Sequence, residues 1–279
     1  MLLEVLEEDL LRDVRGALSE DIRSGDITSV LIPAGTTATA SVISRETAVL
    51  CGMAWFNAVF AELDTAITVD WDARDGDIIE PGQQLCTLSG PAAAILTGER
   101  TALNFLQTLS GTATRARRYA RAVAGLPVRI LDTRKTIPGL RQAQKYAVRT
   151  GGCHNHRMGL YDGILIKENH ISAAGSIGQA IQAVRARHPG IPVEIEVENR
   201  DQAAAAIAAG ADTLLLDNFT LEALAAAVAQ VAGRVKLEAS GGITLDNIRE
   251  VACTGVDFIS IGTLTKDLQA IDLSMIFVD

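Results

Sequence analysis

From Val128 onward the chain alternates short apolar, β-branched runs with alanine-rich stretches of helical spacing, and this alternation restricts the fold more than any other feature. The runs are Val128–Leu131, Gly163–Ile166, Val193–Val197, Thr213–Leu216, Val235–Ala239 and Phe258–Ile261. Helical segments over 176–188, 201–209, 221–232 and 245–254 separate the later ones. Thr220 and Thr244 suit N-cap positions, and Gly210, Gly233 and Gly255 suit helix stops. Connections this short between β and α elements build a parallel sheet with its helices outside. Six such runs fall short of the eight strands of a closed barrel. The expectation is an open or incomplete α/β barrel, or a doubly wound sheet.

Before residue 110 the texture differs. Residues 3–18 repeat apolar positions at helical spacing, which predicts an amphipathic helix. Thr39–Ile43, Ala66–Trp71 and Gln84–Leu88 read as short strands, and 75–85 is dense in turn residues. The pattern resembles the hairpins of biotinyl- or lipoyl-carrier domains, but a carrier needs a lysine at a hairpin tip and the first lysine here is Lys135. A structural sandwich domain remains. A long helix is expected from Thr97 to about Val123, interrupted or kinked near Ser110-Gly111.

Charge narrows the function. The chain carries a formal charge of −9, yet Arg129 to Arg157 holds seven Arg or Lys residues against one acidic residue, Asp132. Crowded like charges repel, so a cationic stretch in an acidic protein points to a pocket for a polyanion. The acidic balance argues against nucleic-acid binding. No apolar run reaches the roughly 18 residues of a membrane span, and the acidic start is wrong for a signal peptide. Residence in the cytoplasm is expected. Cys51, Cys86, Cys153 and Cys253 are scattered, which suggests neither a zinc knuckle nor a disulfide framework.

Each apolar run from Val128 ends in polar chemistry: Asp132-Thr133-Arg134-Lys135, Lys167-Glu168-Asn169-His170, Glu196-Val197-Glu198-Asn199, Asp217-Asn218, Glu238-Ala239-Ser240-Gly241-Gly242 and Gly262-Thr263. Functional groups of parallel sheets collect at the carboxyl ends of strands, so these tips are expected to form one site. Glu194, Glu196 and Glu198 alternate within Val193–Glu198 and share a face. Buried carboxylates are costly unless paired. Either this is an edge strand with a solvated acidic face, or Glu196 sits in a barrel mouth with Lys167, Asp217 and a magnesium-bound substrate. The turns at Ser240-Gly241-Gly242 and Ile261-Gly262-Thr263 allow backbone N–H groups to approach a phosphate. Cys153, His154 and His156 are nearly contiguous, with no second ligand pair at zinc spacing. His156 beside Arg157 suits a carboxylate or phosphate better.

Taken together these motifs resemble a known family. Glu99–Gln107 with Leu109-Ser110-Gly111, Asp132–Gly139, Lys145-Tyr146-Ala147-Val148, Asn155-His156-Arg157, Leu165–His170, Glu196-Val197-Glu198, Leu216-Asp217-Asn218 and Gly255–Thr265 look like quinolinate phosphoribosyltransferase, over essentially the whole chain. The resemblance implies an N-terminal α/β sandwich domain over 1–110, joined by the tail 267–279, and an incomplete α/β barrel over 111–266. It implies transfer of phosphoribosyl from 5-phosphoribosyl 1-pyrophosphate to quinolinate with decarboxylation, giving nicotinate mononucleotide, pyrophosphate and CO₂ in de novo NAD biosynthesis. Arg100, Thr133, Arg134, Lys135, His156, Arg157 and Lys167 would hold quinolinate, with Arg100 supplied across a homodimer that could assemble further. Lys135, Lys167, Glu196 and Asp217 would be catalytic. Lys167, Glu196, Asp217, Ser240, Gly241, Gly242, Ile261, Gly262 and Thr263 would bind the phosphoribosyl pyrophosphate. Mg²⁺ would sit near Glu196 and Asp217, held indirectly. One departure stands out: Gly151-Gly152-Cys153 replaces the family's usual three glycines, and a Cβ there restricts the loop. Competing readings are a paralogue acting on another acid, a Schiff-base aldolase using Lys167, and a non-catalytic sugar-phosphate sensor.

Overall fold

The computed structural model describes residues 7–278. In chain order its elements are α1 (Glu7–Ile22), β1 (Thr37–Ser44), β2 (Ala48–Val49), α2 (Met53–Leu63), β3 (Thr68–Trp71), β4 (Ile78–Ile79), β5 (Gln84–Pro91) and the long α3 (Ala92–Ala122). They continue with β6 (Arg129–Leu131), α4 (Arg141–Thr150), β7 (Ile164–Ile166), α5 (Glu168–Ala174), α6 (Ile177–Arg187), β8 (Val193–Val197), α7 (Arg200–Ala208), β9 (Thr213–Asp217) and α8 (Leu221–Val231). Last come β10 (Lys236–Ser240), α9 (Ile248–Cys253), β11 (Phe258–Ser260), α10 (Thr263–Lys266) and β12 (Leu273–Val278). The expected helix over 3–18 is α1, although residues 3–6 lie outside the described residues. No described helix is long and apolar enough to cross a membrane.

The chain divides into two compact units. The first takes the chain up to Arg117, Thr136–Gly152 and the chain from Leu264 onward; the second takes Arg118–Lys135 and Cys153–Thr263. The expected boundary near residue 110 is thus close to the first break, but α4, expected within the barrel, packs in the first unit. Its Ala143 and Ala147 are fully buried in the same core as Trp55, Phe56 and Leu106.

In the first unit an antiparallel sheet runs β12-β1-β5-β3. The C-terminal strand β12 pairs with β1 from Thr39↔Val278 to Ser44↔Leu273. The α3 helix is continuous through Ser110-Gly111, where a kink was expected. Ser110 is fully buried and its hydroxyl both accepts from Cys51 N–H (2.9 Å) and donates to Cys51 C=O (3.2 Å). Gly111 lets residues 269–270 lie on the helix: a Cβ there would stand 2.1 Å from Gln269 O. The pair serves close packing rather than a bend.

The second unit is a six-stranded parallel sheet, β6-β11-β10-β9-β8-β7, with all six strands close to their expected positions. Strand β8 lies between β9 and β7 and is no edge strand. A single parallel bridge, Leu131↔His154, extends the β6 edge. His156, two residues on, reaches both Glu194 on β8 and Glu238 on β10. Strands so far apart in sheet order meet one side chain only if the sheet curls strongly, while β6 and β7 remain unpaired with each other among the described residues. This is the open barrel. Thr220 caps α8 as expected, its hydroxyl accepting from Ala223 N–H. Gly210, Gly233 and Gly255 have φ of +90°, +76° and +93°, the left-handed backbone that ends helices. Thr244 is not the cap of α9, which begins only at Ile248 behind Asn247. Asn247 instead bridges the loop, accepting from Thr244 N–H (2.8 Å) and donating to Gly242 O (3.2 Å).

The glycine environments make a paired prediction. Gly111→Ala should destabilise by about 1–3 kcal/mol through overpacking. Gly16→Ala, in exposed α1 with nothing within 4 Å of the added Cβ, should stabilise by about 0.5–1 kcal/mol. Urea denaturation of both variants beside the parent checks the contrast in sign.

Candidate active site

Parallel pairing places registered residues on the same side of the sheet, and period-two alternation then sorts the strands into two faces. Val193, Ile195 and Val197 of β8 are buried on the helix-covered face. Glu194 and Glu196 take the inner face, with Thr213, Leu215 and Asp217 of β9 and Glu238 and Ser240 of β10, as the register Glu194↔Thr213, Glu196↔Leu215, Glu238↔Leu215 and Ser240↔Asp217 requires. The alternation therefore gathers acidic and hydroxyl groups at the inner carboxyl ends of β8 to β10.

Four local groupings follow. Lys167, just past β7, forms an ion pair with Glu196. On the next strand, Asp217 Oδ2 accepts from Asn218 Nδ2 at 2.8 Å, and Asn218 N–H donates to Ser240 O at 2.9 Å. Asn218 adopts φ +56° and Gly241 φ +96°. A Cβ on Gly241 would meet Asn218 Oδ1 at 2.2 Å, so glycine is required where the β9 and β10 tips touch. Gly242, at φ +61°, faces open space. At the β6 and β11 tips, Gly262 lies against Lys135 Cδ and Thr133 Oγ1, which a Cβ would meet at 3.1 and 3.8 Å. Thr133 Oγ1 accepts from Lys135 N–H. Thr263 Oγ1 is 3.2 Å from the Tyr119 hydroxyl, and Ile261 is buried beside it.

The fourth grouping is the most buried. Asp132, fully buried at the end of β6, accepts from Asn155 Nδ2 (2.5 Å) and His156 N–H (2.9 Å). His154 N–H donates to Ile130 O, and Asp132 N–H to His154 O, so segment 154–156 is laced to β6. His156 Nε2 stands 2.9 Å from Glu194 Oε2 and 3.6 Å from Glu238 Oε2. Its Nδ1 accepts from Arg157 N–H at 2.7 Å. Arg157 Nη1 donates to Gly163 O at 3.0 Å. Burial, then the neighbouring Arg134, pull the Arg157 pKa down, while Glu194 and Asp162 oppose this. Arg134 and Arg157 are thus close enough to repel. Oε1 of both Glu194 and Glu238 is buried with no hydrogen-bond partner. Burial, then Glu194, push the Glu238 carboxyl up to about 8.

The expected site residues of the second unit are therefore brought to one end of one curled sheet. Arg100 belongs to the first unit, exposed on α3. The imagined Cys153–His154–His156 cluster does not form a ligand set. The one group of His and carboxylates with converging ligand atoms among the described residues is His156, Glu194 and Glu238. Cys153 is tolerated because the left-handed backbone falls on Gly152 (φ +96°), not on it. Asn218 and Glu238 stand in the expected strand tips without an assigned role, and Asn155 and Glu194 have no expected part in the site. Alternation flags Glu194 and strand-end placement flags Glu238, but neither says what they face. A cavity of about 190 Å³, lined by Leu216, Phe219, Leu224 and Val251 together with the polar Thr220, Ser240 and Asn247, holds no titratable side chain. It is not where the charged groups meet.

A two-unit chain with an open parallel barrel and cationic and acidic groups at its strand tips is matched by two family models. They are the quinolinate phosphoribosyl transferase N-terminal domain, over residues 26–110, and the C-terminal domain, over residues 112–276. The nicotinate-nucleotide pyrophosphorylase (carboxylating) of Mycobacterium leprae is 42% identical over 98% of this chain and 99% of its own. The solved structure of the nicotinate-nucleotide pyrophosphorylase from Francisella tularensis superposes with a TM-score of 0.94 at 46% identity, covering 97% of this chain and 96% of that one. Its counterpart from Ehrlichia chaffeensis gives 0.91 at 37% identity, over 95% and 97%. The chain belongs to the quinolinate phosphoribosyltransferase family.

Glu238 generates a pH prediction. Its folded pKa, about 8, lies above the ordinary 4.5, so between these values the folded state binds the extra proton. The stabilisation is complete at acid pH and is lost as pH rises through about 8. Urea midpoints should fall from pH 5.5 to 8.5, and Glu238→Gln should flatten that slope.

Proposed function

We propose that this protein transfers the phosphoribosyl group of 5-phosphoribosyl 1-pyrophosphate to quinolinate, releasing pyrophosphate and CO₂ and forming nicotinate mononucleotide for NAD biosynthesis. The observation that carries this reading is the match of both family domains along one chain, with the second unit's charged residues at the carboxyl ends of its barrel strands. The enzyme is a phosphoribosyltransferase, and residence in the cytoplasm is part of the proposal.

In this reading Arg134, Lys135 and Arg157 receive the two carboxylates of quinolinate, with Thr133, His156 and Lys167 alongside. An arginine fork matches a planar carboxylate, and the closeness of Arg134 to Arg157, costly in the empty protein, is relieved by a dianion. Ser240, Gly241 and Gly242, with Ile261, Gly262 and Thr263, offer backbone N–H groups and hydroxyls to the 5-phosphate. As the C1–pyrophosphate bond breaks, positive charge grows on the ribose, and the Glu196 and Asp217 carboxylates on adjacent strands stabilise it. Lys135 and Lys167 counter the charge of the departing pyrophosphate. The pyridine nitrogen forms the new bond to C1; the ring then accepts the electron pair left by CO₂, and a proton from water replaces it.

Glu196 and Asp217 put hard oxygen donors on one face of neighbouring strands, the chemistry that suits Mg²⁺. Bound there, magnesium supplies Lewis-acid neutralisation of the pyrophosphate. The aldolase alternative is disfavoured, because a Schiff-base lysine needs a free amine in an apolar pocket, whereas Lys167 is exposed and paired with Glu196. Arg100 completes the quinolinate site of a partner subunit in a homodimer.

Two outcomes check this. Steady-state assays should show turnover of quinolinate and none of nicotinate; the reverse would defeat the assignment. Arg100→Ala and Asp217→Asn dimers should each be inactive, whereas co-refolded mixtures should recover about a quarter of the parental rate through hybrid dimers with one intact site. Mixtures that stay inactive would place Arg100 in its own subunit's site or outside it.

A further inference from the structure

The buried carboxylates Glu194 and Glu238 are assigned no part in holding phosphate or ribose, yet they occupy the inner face of the barrel at considerable desolvation cost. Both converge on His156. The ring of His156 is engaged at both nitrogens: Nδ1 accepts from Arg157 N–H at 2.7 Å, and Nε2 faces Glu194 Oε2 at 2.9 Å. A backbone donor at Nδ1 leaves the ring proton on Nε2, where Glu194 accepts it. The imidazole therefore bridges β8 to the Arg157 backbone. Asp132 holds the same segment from the other side through His156 N–H.

We propose that Glu194 and Glu238 are positioning residues for the acid substrate, acting through the neutral His156 to fix Arg157 at the strand tips. The proposal rests on quinolinate as the substrate. Glu194 fixes the tautomer and supplies a negative charge beside Arg157, which keeps the Arg134–Arg157 pair together before substrate arrives. Glu238, whose Oε2 stands 3.6 Å from the same Nε2, closes the inner wall against a swing of the imidazole.

The tautomer is read from long-range ¹H–¹⁵N correlations of the full-length protein, whose four histidines are assignable by substitution. This measurement does not depend on what the substrate is. An Nε2–H imidazole for His156 at neutral pH supports the proposal; an imidazolium or an Nδ1–H ring overturns it. In kinetics, Glu194→Ala and Glu238→Ala should raise KM for quinolinate by about ten- to a hundred-fold, with KM for 5-phosphoribosyl 1-pyrophosphate within about three-fold of the parent. Glu194→Gln keeps an acceptor for Nε2 and Glu238→Gln keeps a neutral hydrogen-bonding group, so both should recover most of that loss. Equal changes in the two KM values, or a parental KM for quinolinate in the alanine variants, overturn the positioning role. Parent enzyme that fails to turn over quinolinate counts against the proposed function, and the tautomer measurement then decides the network by itself.

Discussion

One buried carboxylate organises the charged end of the second unit. Asp132 is wholly out of solvent at the end of β6, and it holds Asn155 and His156 through both of its oxygens. A buried ion is tolerated only when hydrogen bonds replace its hydration. The loop beyond α4 is therefore obliged to keep one shape, and Arg157 inherits a fixed origin. The cationic stretch from Arg129 to Arg157 would otherwise spread by mutual repulsion. An acid at its root turns it into a grip.

The second organising device is alternation on strands covered by helices on one side only. Val193, Ile195 and Val197 face the helices, and this leaves Glu194 and Glu196 the barrel interior. The interior is graded along the strand. Near its middle, Glu194 and Glu238 are buried and pair with a histidine. At its tip, Glu196 and Asp217 are partly open to solvent and available to ligands. The same residue type thus does two jobs, set by depth alone.

Much of this is legible in the residues. The β-α rhythm after Val128 locates all six barrel strands, because apolar β-branched runs between helical stretches have few other homes. Strand-end placement picks out Lys167, Glu196, Asp217 and the Gly241 turn. Other features resist reading. Ser110-Gly111 looks like a kink, since a Ser-Gly pair speaks equally of bending and of close approach, and only the position of residues 269–270 decides. The membership of α4 in the first unit depends on long-range packing of Ala143 and Ala147, which local pattern does not encode. The meeting of Glu194, Glu238 and His156 depends on how far the sheet curls, a property of the whole barrel.

The strand β12 pairs with β1, the first strand among the described residues, and so joins segments far apart in the sequence into one sheet. During synthesis β1 therefore leaves the ribosome with one flank bare, and it stays so until Leu273–Val278 emerges about 230 residues later. An unpaired strand edge invites association with other chains. The nascent protein accordingly has an interval of vulnerability set by the stretch of chain between the two strands, and β12 is the element that closes it.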